Sequence, residues 1–112
     1  MMQLLVVGLS HKTAPLDLRE QFAISPDALE SAARRIRDAV GAESFIISTC
    51  NRVEVYASAS ETASASDHIK RALAASASLP GAGLEPHLYT HSGEEAVRHL
   101  FRVAASLVGV GG

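Results

Sequence analysis

Apolar and polar positions alternate in blocks that mark out most of the chain. Gln3 to Leu9, "QLLVVGL", is a short apolar run rich in β-formers and reads as a buried strand. "SHKTAP" follows as a loop ended by Pro15, and "LDLREQFA" reads as a short helix. "SPDALESAARRIRDAVG" is the clearest helix. Ser25 can cap it, Pro26 suits its first turn, and Asp27 complements its dipole. Leu29, Ala33, Ile36 and Val40 share one stripe, and Gly41 ends the helix.

Glu43 to Ser48 and Val53 to Ser58 form two further strand patterns, separated by Thr49-Cys50-Asn51-Arg52. Asn51 tolerates left-handed geometry, so a hairpin or tight strand-turn-strand is expected there. "SASETASAS" reads as a loop or a fraying helix start, followed by a helix with Ile69, Ala72 and Leu73 that runs to about residue 77. "LPGAGLEP" is a turn-rich connector, and "HLY" a short last strand. Ser92-Gly93-Glu94-Glu95 has capping-box spacing and opens a helix with Val97, Leu100, Phe101 and Ala104 on one side. The order β-α-β-β-α-β, with an extra helix at each end, predicts an α+β fold. The expected arrangement is a ferredoxin-like antiparallel sheet backed by helices.

Composition narrows the function more than the fold. A chain of 112 residues is one domain or a piece of a larger protein. With 47% hydrophobic residues it is globular. A net charge of -2 with scattered basic residues argues against a module that holds nucleic acid mainly by charge. A single cysteine cannot close an internal disulfide and fits a reducing compartment. "MMQLLVVGLSHK" lacks a basic lead-in and a cleavage signal, so it reads as a strand and not a signal peptide. No apolar run approaches the roughly 18 residues of a membrane span. The expectation is a cytoplasmic protein with no membrane contact.

Candidate chemistry centres on Cys50. A thiolate is favoured by a nearby cation or by free backbone amides, and Arg52 and the turn could supply both. Thr49 and the turn amides could orient a carbonyl. A small buried hydrophobe at a strand end is the plainer account of the same residue. His11, His68, His87, His91 and His99 form no pair at metal-ligand spacing, so no metal is expected. By helical projection His99 points away from the Val97/Leu100/Phe101/Ala104 stripe, beside Glu95, Arg98 and Arg102. That is a solvated polar face unless the face looks into a cleft. "GLSHKTAP" places several donors at one sheet edge, and Gly109-Val110-Gly111-Gly112 reads as a tail.

Taken in order, "VVGLSHKTAPLDLRE", "FIISTCNRVEVYA" and "LYTHSGEEAVRHLFRVAASL" resemble the N-terminal catalytic domain of glutamyl-tRNA reductase, over about residues 4–107. The resemblance implies NADPH-dependent reduction of glutamyl-tRNA to glutamate 1-semialdehyde, in tetrapyrrole biosynthesis. It implies Cys50 as the nucleophile that takes the glutamyl group as a thioester, and His99 as the second catalytic residue. Thr49, Asn51 and Arg52 match the motif that holds the glutamyl group, with Arg52 suited to its carboxylate.

After residue 107 the pattern departs from the family. Its Gly-Leu-Asp-Ser stretch continues here with Val108 and Gly109 in place of Asp and Ser, and its Gly-Glu-Pro-Gln motif is missing. Residues 108–112 are therefore expected to be a divergent glycine-rich tail. The family's NADPH-binding domain and its dimerisation domain are expected to be missing from this fragment. The fragment is expected to bind no cofactor of its own and to act at most as an esterase. Two alternatives stand beside this reading. One is a non-catalytic RNA-binding ferredoxin-like module, although only 4% of the residues are aromatic. The other is an inactive truncated remnant.

Overall fold

The computed structural model describes residues 2–21, 31, 33–38, 43–49, 51–76 and 81–107. The caps and ends expected of the second helix (Ser25, Pro26, Asp27, Val40, Gly41), the tail 108–112 and Cys50 lie outside them.

Four strands form the frame: β1 (Gln3–Ser10), β2 (Ser44–Ser48), β3 (Arg52–Ala59) and β4 (Tyr89–Ser92). They pair antiparallel in the order β2-β3-β1-β4. Inserting β3 between β1 and β2 gives the split arrangement expected from the element order. The helices are α1 (Leu16–Gln21), α2 (residues 33–38), α3 (Thr62–Ser76), the single turn α4 (Gly81–Leu84) leading into a 3-10 turn (Glu85–His87), and α5 (Glu94–Leu107).

The alternation of β1 and β3 sorts their side chains onto two faces. Leu5, Val7 and Leu9 share one face with Val53, Val55 and Ala57. That face is covered by Ile36 of α2, by Ala65, Ile69 and Leu73 of α3, and by the fully buried Leu84 of α4. The i, i+4, i+8 spacing of Ala65, Ile69 and Leu73 is the stripe that seats α3. The opposite face carries Leu4, Val6, Ile47 and Tyr56 and is covered by α5 through Ala96 and Leu100. The central strands are thus buried on both sides.

Of the two readings of the polar, small-residue stretch before Ile69, the helix start holds: α3 begins at Thr62. Two elements depart from the sequence reading. The last strand runs from Tyr89 to Ser92 rather than over "HLY", since pairing with β1 sets its register. The capping box does not form in the expected register. Gly93, with φ of 62°, makes the turn, and its carbonyl accepts the Val97 N–H at 3.2 Å, so α5 starts one residue later.

Candidate functional site

The two loops singled out by their polar residues meet at one end of the sheet. Ser10 pairs with Arg52 at the ends of β1 and β3, and the His11 N–H donates to the Asn51 carbonyl at 2.8 Å. Between β2 and β3, the Thr49 N–H donates to the Arg52 carbonyl at 2.8 Å. Thr49 Oγ1 accepts from the N–H groups of both Asn51 and Arg52 at 3.2 Å. The hydroxyl therefore holds the turn and keeps only its own proton for a ligand. The other loop is tied the same way: the Ser10 N–H donates to Thr13 Oγ1, and the Ser10 carbonyl accepts from the Thr13 and Ala14 N–H groups. His87 Nδ1 lies 3.0 Å from the Thr13 carbonyl and anchors the connector before β4 to this end.

Below the loops sits Glu54, a fully buried carboxylate on the α5 face of β3. It accepts from Tyr56 Oη at 2.8 Å, from Tyr89 Oη, and from His99 Nε2, while Arg52 Nη1 lies at 3.4 Å. Burial works against its charge. The three hydrogen bonds, from Tyr89, His99 and Tyr56, outweigh that cost and hold the carboxyl below the usual carboxylate range. Tyr56 and Tyr89 are pushed up, first by burial and then by bonding to Glu54, so both stay protonated donors.

The reach from β3 to β4 depends on Gly8. Glu54, Gly8 and Tyr89 form one row across the sheet. A Cβ at Gly8 would stand 2.5 Å from the Val53 carbonyl oxygen and 2.9 Å from both Cα and Cγ of Glu54. With no side chain on β1 at that point, the carboxylate leans across the strand to meet Tyr89 and His99.

His99 is where the helical projection and the structure part. The buried side of α5 is Ala96, His99, Leu100 and Val103, while Val97 and Phe101 of the predicted stripe are exposed, Phe101 at 71%. The His99 side chain is 13% exposed and turned to the sheet. Bonding to the Glu54 carboxylate places a proton on Nε2 and leaves Nδ1 as the second ring position. His91 packs tilted against it, ring centres 4.8 Å apart, and the Tyr89 ring centre lies 5.4 Å from that of His99. Burial, then the nearness of His99, holds the His91 ring below the ordinary imidazole range against the pull of Glu95.

These groups floor a cavity of about 840 Å³. Its walls are Ser10 to Thr13 from the first loop, Arg52 from β3, Tyr89 and His91 from β4, and His99, Arg102, Val103, Ala105 and Ser106 from α5. No carboxylate lines it among the described residues; Glu54 lies underneath, neutralised by its partners. No group of three or more His, Cys, Asp or Glu among the described residues is placed to hold a metal.

Of the residues named from sequence, the structure gathers Arg52 and His99 around Glu54 and places Thr49 and Asn51 in the adjoining turn, both exposed. Glu54 itself, Gly8, Tyr89 and His91 were not anticipated. A signal for Glu54 existed: in Val53-Glu54-Val55-Tyr56 the alternation sets a charged residue and a tyrosine on one face of the strand, between valines on the other. Tyr56 is fully buried under Phe45, on which it stacks at 4.8 Å, so it offers no face for base stacking.

An α+β domain with a cavity lined by cations and imidazoles over a buried, fully bonded carboxylate has the chemistry to hold an anion. The family described as "Glutamyl-tRNAGlu reductase, N-terminal domain" matches residues 7–110. Glutamyl-tRNA reductases of Trichlorobacter lovleyi and Geobacter sulfurreducens are 49% and 50% identical over 107 and 108 residues. Each match covers 95% of this chain and 25% of the relative. The solved glutamyl-tRNA reductase from Methanopyrus kandleri is 33% identical with a TM-score of 0.64, over 91% of this chain and 22% of that one. The chain belongs to the glutamyl-tRNA reductase family, as its N-terminal domain, and spans about a quarter of the length of the relatives it matches. Membership does not favour the non-catalytic RNA-binding alternative.

Proposed function

We propose that this domain takes the glutamyl group from glutamyl-tRNA onto Cys50, as the acyl-transfer half of a reductase of the tetrapyrrole pathway. The thiolate sulfur of Cys50 attacks the ester carbonyl. A carbon–sulfur bond forms, the carbon–oxygen bond to the terminal ribose breaks, and the electron pair leaves on the ribose oxygen, which takes up a proton. Arg52 carries the glutamyl side-chain carboxylate: it is turned into the cavity and shares only a 3.4 Å contact with Glu54, so its other donors are available. Asn51 and the Thr49 hydroxyl proton flank the acyl group from the turn. His99, with its Nε2–H fixed on Glu54, has Nδ1 left to take the proton of the Cys50 thiol and return it to the departing ribose oxygen.

The observation that carries this reading is the convergence of Arg52 and His99 on one buried carboxylate beside the turn that contains the only cysteine. The family name implies a reduction, for which NADPH would supply hydride. The described residues do not fit that cofactor. The sheet is antiparallel throughout, and the strand–glycine–helix turn at Gly93 is followed by Glu94 and Glu95, which repel a pyrophosphate.

Glutamyl-tRNA carrying labelled glutamate tests the proposal. The chain should acquire hydroxylamine-labile label or release free glutamate, and Cys50→Ser should abolish both. Equal glutamate release by parent and Cys50→Ser would remove the nucleophile from the scheme.

A further inference from the structure

The cavity has more positive charge than a glutamyl group can use. One arginine, Arg52, is committed to the buried Glu54 and, on the reading above, to the glutamyl carboxylate. Two more cations line the same cavity: Lys12 on the loop after β1 and Arg102 on α5. Both are exposed, and neither has an ion-pair partner among the described residues. The nearest carboxylates on α5 are engaged elsewhere, Glu94 with Arg98 at 3.5 Å and Glu95 towards His91 at 4.0 Å. Unpaired cations facing one hollow create a local field that the net charge of -2 conceals.

The volume agrees. At about 840 Å³ the cavity lies within the roughly 300–1,000 Å³ typical of sites for ligands much larger than one amino-acid residue. An ester-linked substrate must also bring in the ribose and phosphate next to the acyl group. A phosphodiester is an anion whose geometry suits a guanidinium fork and an ammonium.

We infer that Lys12 and Arg102 form a phosphate subsite at the mouth of the cavity, which holds the last phosphodiester of the RNA while Arg52 holds the glutamyl end. This rests on the acyl-transfer reading above. The two anchors would fix the scissile ester between them, and only a substrate carrying both anions would use both. The "HKTA" loop thereby gains a role: Ser10 and Thr13 hold the loop by their backbone bonds and leave the Lys12 side chain directed by that frame.

The experiment compares two glutamyl esters on the 112-residue chain: glutamyl-tRNA, and 3′-O-glutamyl-adenosine, which lacks the phosphodiester. The readout is the ratio of their second-order transfer rates, and its dependence on salt. Arg102→Gln and Lys12→Gln should each lower the preference for the tRNA ester about tenfold. Each should also reduce the log–log salt slope by about 0.7, the contribution of one single-strand phosphate contact. Arg102→Lys keeps the charge and should keep the slope. An unchanged ratio and slope in both Gln variants would overturn the subsite and leave the acyl-transfer reading standing. A slope lost equally in Arg102→Lys and Arg102→Gln would also overturn it, because the effect would not be electrostatic. If the parent accepts glutamate from neither ester, the acyl-transfer reading fails and the subsite falls with it.

Discussion

Replacing Glu54 by alanine or glutamine is the sharpest probe of the site as a physical object. Glu54 is fully buried and receives Tyr56, Tyr89 and His99, with Arg52 close by. Removing it leaves two phenols and an imidazole without their acceptor beneath the cavity. Breaking a buried charged network by deleting one partner typically costs about 3–5 kcal/mol. For a chain of this length each kcal/mol moves the melting temperature by about 4 °C. Glu54→Ala should therefore melt about 12–20 °C below the parent at pH 7. Glu54→Gln keeps the shape but turns an amide N–H toward donors, so it should also be destabilised, though by less. The difference must depend on pH in one direction. The carboxyl titrates lower in the folded protein than in the unfolded chain, so its contribution is full above the unfolded value, near about 4.3. It is lost as pH falls through the folded value. Urea titrations of parent and Glu54→Gln from pH 7 downward should show two stability curves that converge in acid. A constant gap from pH 7 to pH 3, or a loss under about 1 kcal/mol for Glu54→Ala, would refute the account of Glu54 as an ionised anchor.

Two other substitutions test the surroundings of that network. Gly8→Ala pushes a methyl into the Val53 carbonyl and Glu54 Cγ, so β1 or β3 must shift; a loss of about 1–3 kcal/mol in denaturant titration is expected, and Tm within 2 °C of the parent would contradict the close contact. Phe101→Glu acts on a ring that is 71% exposed on the outer flank of α5; stability should stay within about 0.5 kcal/mol while solubility rises, and a larger loss by thermal melting would show that the ring is covered in solution.

How much of this was legible in the chain differs element by element. β1 and β3 could be read closely because the apolar run of the one and the valine alternation of the other meet neighbours on the sheet faces, so pattern and burial agree. β4 could not, since Tyr89-Thr90-His91-Ser92 has no apolar pattern and is a strand only because β1 offers a free edge. In α5, projection chose the most hydrophobic stripe, Val97, Leu100, Phe101 and Ala104. The real seat uses Ala96, whose small side chain lets the helix approach Val6 and Tyr56, and His99, whose burial is compensated by Glu54. A partner 45 residues away decides that choice, and no local pattern records it. Glu54 was passed over for the matching reason: alone in its strand it looks like the polar half of an alternating edge, and only with Gly8, Tyr89 and His99 in place does it become a centre.

The placement of α5 on the face opposite α2, α3 and α4 divides the molecule by the kind of substitution each half tolerates. On the side of Leu5, Val7, Leu9 and Ile69, any sequence that fills the same volume with apolar atoms serves, and neutral drift among Leu, Ile and Val is free to proceed. On the other side Glu54, Tyr56, Tyr89, His99 and the gap at Gly8 are set among Val6, Ala96 and Leu100, and a change in one of those five must be matched at once by a second. Two lineages of this domain could thus exchange most of one layer and remain interchangeable in a hybrid, whereas the α5 layer and strands β3 and β4 beneath it would have to be inherited together.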